Sequence, residues 1–106
     1  MVCNPDGMAN KQELIHFLEQ HVFNPILRAK PDDYSDRDRA ALEHVQKSTT
    51  SEKDRYHHYG SADEVILNFK RDLHSTAAKK VDSELSRLKL PSLPEVKDEF
   101  LKLAEN

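Results

Sequence analysis

The sequence predicts an all-α fold, an antiparallel bundle of three longer helices closed by a short fourth. Three observations carry that expectation. The chain holds only two glycines, Gly7 and Gly60. Its β-branched residues nowhere alternate strictly with polar ones, so strands find little support. Apolar residues recur at helical spacing in four stretches, each opened by a capping signal.

The first helix is expected over residues 11–29. Asn10 followed by Glu13 has the spacing of a capping box, in which side chains satisfy orphan backbone N–H groups. Leu14, Ile15, Leu18, Val22 and Ile26 then form one stripe. Pro25 lacks a backbone donor and crowds the preceding turn, which predicts a break near that residue. Phe17 and Phe23 fall off the centre of the stripe. The loop Lys30-Pro31-Asp32-Asp33 follows.

Ser35 and Asp38 open the second helix, expected over 36–59. Ser48-Thr49-Thr50-Ser51 is a run of poor helix formers, which favours a break. Against that, Leu42, Val45, Thr49, Tyr56 and Tyr59 keep the three-four spacing that one continuous helix turns to a single side. The spacing favours continuity. Gly60 is expected to supply the left-handed residue that commonly ends a helix.

Ser61 and Glu64 open the third helix, whose stripe of Val65, Ile66, Phe69, Leu73, Ala77, Val81, Leu85 and Leu88 predicts one long rod over 62–89, stopped by Pro91. Leu67 points away from that stripe. Ser92, Pro94 and Glu95 restart a short helix over 94–104, with Val96, Phe100 and Leu103 on one edge.

With 106 residues the chain has room for one domain. That domain is expected over 10–106, after a disordered segment 1–9 whose Asn4-Pro5-Asp6-Gly7 is turn-forming. Nineteen acidic against 16 basic side chains give a net charge of -3, which argues against a dedicated polyanion binder. Lys70, Arg71, Lys79, Lys80, Arg87 and Lys89 are interleaved with Asp72, Asp82 and Glu84, the mixed pattern of a solvated face, so no nucleic-acid partner is expected. The single cysteine, Cys3, excludes an internal disulfide, a four-cysteine zinc site and an attached c-type haem. Val65-Ile66-Leu67 is the longest aliphatic run, far short of a membrane span, and the first residues have no secretory pattern. A cytoplasmic protein is expected.

Six histidines direct attention to metal or acid–base chemistry. His16, His21, His44, His57, His58 and His74 supply no i, i+4 pair, so a helical zinc chelate is absent. Glu13 and His16 have the E-x-x-H spacing of di-iron bundles but face away from the apolar stripe, as an ion-pair edge does. The densest cluster is Asp54-Arg55-Tyr56-His57-His58-Tyr59. There Asp54 would hold an imidazole and raise its pKa, or share a metal with His57 and His58, completed by His44 or His74 from across the hairpin. The plainer alternative packs Tyr56 and Tyr59 against the third helix and leaves the histidines at a helix C-terminus, where the dipole favours them. Arg39 and His44 match a spacing used by RNA-cleaving helical bundles, at the frequency chance supplies. No phosphate-binding glycine loop or nucleophile elbow is present.

These readings favour a small non-enzymatic helical interaction module, of adaptor, regulator or inhibitor type, needing no cofactor. It would bind a protein partner or itself through the apolar residues left off the stripes, Phe17, Phe23 and Leu67. A histidine-dependent site around Asp54, His57 and His58 is the alternative, and RNA cleavage by Arg39 and His44 is the remote one.

Overall fold

The computed structural model describes residues 10–105, so the segment 1–9, expected to be disordered, and Cys3 within it lie outside the described residues. The fold is all-α, with no strand among the described residues.

The first rod starts where the sequence places it, with the Asn10 side chain accepting from the Glu13 N–H at 2.9 Å. It runs as α1 (Lys11–Leu18), a π-helical segment (Glu19–Phe23) and α2 (Asn24–Arg28). The break expected near Pro25 takes the form of that π turn. In an α-helix the Pro25 nitrogen would face the His21 carbonyl with nothing to donate and its ring against the turn. The widened turn accommodates it, and the Asn24 N–H bonds instead to the Glu19 carbonyl.

The π turn also overturns an expectation about Phe23. At ~100° per residue, Phe23 would lie roughly 140° around a regular helix from Leu18, off the stripe. The extra residue in the π turn takes back about 100° of that rotation. Phe23 is therefore 1% exposed, a core residue with no surface to offer.

Asp36–His58 forms α3 without interruption through Ser48–Ser51, burying Leu42, Val45, Thr49 and Tyr56 on one side. Ser35 caps it through the Asp38 N–H at 3.3 Å. Gln46, on the adjoining flank, donates to the carbonyls of Ile26 at 3.1 Å and Ala29 at 2.9 Å. It thereby satisfies acceptors that the end of α2 leaves orphaned. The helix stops at Tyr59, but Gly60 is not left-handed. Tyr59 turns the chain by going extended, and the Gly60 N–H donates to the Glu64 carboxylate at 2.9 Å.

The single rod expected over 62–89 is two helices, α4 (Ala62–His74) and α5 (Thr76–Arg87). Ser75 separates them in an extended conformation with φ -75° and ψ 147°, and its hydroxyl accepts from the Ala78 N–H at 3.0 Å. The apolar stripe gives no sign of this, because Leu73, Ala77 and Val81 keep the i, i+4 spacing straight across the joint. No acidic residue stands at 78 to complete a capping box either. The bend is a tertiary choice: α4 packs on α1 and on the last helix, whereas α5 packs on α3. A straight rod of ~42 Å, at ~1.5 Å per residue, does not follow both surfaces.

Among the described residues a left-handed residue stands at the end of α5. Lys89 has φ 61°, the Leu90 N–H reaches the Leu85 carbonyl at 2.8 Å and the Lys89 N–H reaches that of Ser86 at 3.1 Å. These are the paired bonds of a Schellman cap, built on lysine instead of glycine. The last helix, α6 (Leu93–Glu105), begins as expected, with the Glu95 carboxylate accepting from the Ser92 N–H at 3.0 Å. Phe100 of α6 stacks on Phe69 of α4 at 4.0 Å between ring centroids, and Phe17 tilts against it at 6.1 Å. Phe17 is thus half-buried against α6 and contributes to the core rim. The molecule measures 51 × 29 × 23 Å.

Candidate functional site

Where α4 bends into α5, an acidic residue is drawn inside. Asp72, in the last turn of α4, is 5% exposed. A carboxylate so placed faces the negative end of its own helix and loses its water, so it needs donors from elsewhere. α3 supplies both: Arg55 Nη2 lies 2.5 Å from Asp72 Oδ2, and the Tyr56 hydroxyl donates to the same oxygen at 2.9 Å. Arg55 also holds Glu52, one turn earlier on α3, at 2.9 Å. Its guanidinium lies over the Tyr56 ring, 5.6 Å from the centroid. Tyr56 in turn meets Phe23 at 5.8 Å and Tyr59 edge-on at 5.2 Å.

This network forms one wall of a cavity of about 550 Å3 between α3 and α5. The π turn and α2 supply an apolar wall, Val22, Phe23 and Ile26, continued by Val81, Leu85 and Leu93. The polar side carries Glu52, Arg55, Asp72 and Asp82, with His44, Lys47 and serines 48, 51 and 75 around the rim.

Burial sets the electrostatics. Desolvation first, then the repulsion of Asp72, pushes the Glu52 carboxyl up to about 7, against the pull of Arg55. Burial alone raises Asp82. Burial works against the Arg55 charge, but Asp72 and Glu52 outweigh it and hold the guanidinium above its usual value. Burial and the Asp72 charge raise the Tyr56 phenol far out of the physiological range, so it acts only as a neutral donor. The buried Arg55 Nε and Tyr59 hydroxyl have no hydrogen-bond partner among the described residues.

The cluster read from the sequence is divided by the fold. Arg55, Tyr56 and Tyr59 turn inward to the Asp72 network, while Asp54, His57 and His58 are exposed. Asp54, expected to hold an imidazole, forms no ion pair among the described residues. The partner of His57 is Glu19 of the π segment, whose Oε2 lies 2.6 Å from His57 Nε2, with Lys53 3.8 Å from that same oxygen. His44 lies 3.7 Å from Glu84 of α5, and His74 is exposed at the end of α4. Neither completes a site with His57 and His58: among the described residues no three His, Cys, Asp or Glu side chains converge to hold a metal ion. Arg39 donates to the Pro31 carbonyl at 3.4 Å and pairs with Asp36 at 3.5 Å, engaging different partners from His44. Of the apolar candidates Leu67 alone stands out, 67% exposed.

Sequence reasoning missed Glu52, Asp72 and Asp82. Each looks like one more charge on a mixed helix face, although Asp72 shares the buried face of α4 with Val65 and Phe69. Placing Asp72 on the Phe69 and Leu73 side of α4 was the one available signal. No helix of the described residues is long and apolar enough to cross a membrane. Comparison with protein-family models, curated proteins and solved structures finds no match.

Proposed function

We propose that this chain is a small non-enzymatic helical interaction module, of regulator or adaptor type, acting in the cytoplasm and not on nucleic acid. Its binding site is the cavity between α3 and α5, and its ligand is a small amphipathic molecule. The carrying observation is the cavity itself: about 550 Å3, lined mainly by apolar surface and carrying the charged side chains of Glu52, Arg55, Asp72 and Asp82. That volume falls in the range of roughly 300–1,000 Å3 typical of small-molecule sites. The charged groups favour binding over turnover, because Arg55, Asp72 and Tyr56 are committed to one another. The Ser75 hydroxyl is likewise occupied in capping α5.

One observation favours a second reading. Glu52, a carboxyl held near neutrality beside Asp72, has the character of an acid–base group, so acid–base chemistry moves from Asp54, His57 and His58 to this cavity.

Backbone amide NMR of the labelled protein, titrated with a panel of small amphipathic compounds, tests the binding reading. The expected result is shifts confined to Ser48, Ala77, Ala78 and Val81. Shifts that instead follow protein concentration around Leu67, with no compound reaching the cavity, would overturn it in favour of self-association.

A further inference from the structure

We infer that the cavity between α3 and α5 selects an organic cation: an apolar body against Ala77, Ala78 and Val81, and a protonated amine between Glu52 and Asp82. This rests on the binding reading above and adds the class of ligand. Three carboxylates face the cavity, from Glu52, Asp72 and Asp82. Arg55 is the cation bonded within the cluster, and its shortest contact goes to the most buried acid, Asp72. Asp82 has no ion-pair partner among the described residues, and its charge repels that of Glu52 across the cavity. His44 and Lys47 also line the cavity; His44 pairs with Glu84 at 3.7 Å, and Lys47 is exposed.

With Glu52 ionised the wall therefore carries three carboxylates against the cations Arg55 and Lys47, an excess of negative charge in a partly desolvated setting. There a matching cation gains more than it does in water. A carboxylate or phosphate ligand would add to the repulsion already present. A neutral ligand would leave it unrelieved.

The test uses phenethylamine, phenethyl alcohol and phenylpropionate, which share a ring and chain and differ in head group. Affinities come from amide shifts of Ala77, Ala78 and Val81 at about pH 8, where Glu52 is ionised. The amine is expected to bind at least about tenfold more tightly than the alcohol, with the carboxylate weakest. The Glu52→Gln and Asp82→Asn variants are each expected to lose several-fold in amine affinity while the alcohol is unaffected. Equal or tighter binding of the alcohol or carboxylate would overturn the cation inference and leave the cavity as a binding site. No shift with any of the three would overturn both. Loss of alcohol binding in a variant would mark a damaged cavity, and then the comparison of the three head groups on the unaltered protein decides.

Discussion

The Tyr56 hydroxyl donates to the Asp72 carboxylate at 2.9 Å, joining the last full turn of α3 to the last turn of α4 inside the protein. Because Arg55 reaches the same oxygen, Asp72 is satisfied twice by consecutive residues of one helix. The three side chains lock the joint between α4 and α5 to α3.

Removing the acceptor should be far more damaging than removing one donor. Asp72→Ala leaves the Tyr56 hydroxyl buried without a partner and Arg55 with Glu52 alone, and is expected to cost about 2–4 kcal/mol. Tyr56→Phe leaves Asp72 paired to Arg55 and should cost about 1 kcal/mol. Urea unfolding of both variants checks the ranking, and comparable losses would show that the network does not centre on Asp72.

The raised Glu52 carboxyl makes stability depend on pH with a definite sign. Between the ordinary glutamate value of 4.5 and about 7 the native state holds a proton that the unfolded chain has released. Stability therefore falls as pH rises through that window and levels off above it. Glu52→Gln is expected to stabilise the protein at about pH 8 by about 1–2 kcal/mol, allowing for solvent screening of the exposed third of the side chain, and to change little at about pH 4. Unfolding midpoints at the two pH values check it. A uniform effect would mean that Glu52 titrates as an ordinary surface carboxyl.

The π turn is tested through Phe23. If the extra residue rotates this ring into the core, Phe23→Ala is expected to cost about 3–5 kcal/mol, the loss typical of a buried phenylalanine. The exposed Leu67→Ala should change stability by less than about 0.5 kcal/mol. Two equal, small effects would restore the regular helical phase that the stripe of Leu14, Leu18 and Val22 suggests.

Lys89 holds a conformation that disfavours every residue with a Cβ by about 1–2 kcal/mol. Lys89→Gly relieves that strain, and part of the gain is returned to the greater freedom of glycine in the unfolded chain. A net stabilisation of about 0.5–1 kcal/mol is expected in thermal unfolding.

Much of the fold was legible because its signals are local. Asn10, Ser35 and Ser61 each bond the N–H three residues on, and a short polar side chain does so wherever a helix starts. The continuity of α3 followed from Leu42, Val45, Thr49 and Tyr56, since one buried face outweighs the weak propensities of Ser48–Ser51. The candidate site was only half legible. Arg55, Tyr56 and Tyr59 were singled out with Asp54, His57 and His58, yet neighbours in sequence lie about 100° apart around a helix, and α3 sent them to different surroundings. His57 found Glu19 and Arg55 found Asp72, partners 38 and 17 residues away.

By itself the sequence determined the helical class, the starting caps and most of the buried stripe, because these depend on periodicity and on hydrogen bonds spanning three or four residues. Tertiary structure alone decided the π turn that buries Phe23, the bend at Ser75 and the left-handed turn at Lys89. Pro25 announced a break without fixing its form, and the other two are local deviations that packing against other helices stabilises with no local pattern to encode them. The same packing assembled Glu52, Arg55, Asp72 and Asp82 around one cavity, since which charges lose their water depends on what lies across from them and not on their neighbours in the chain.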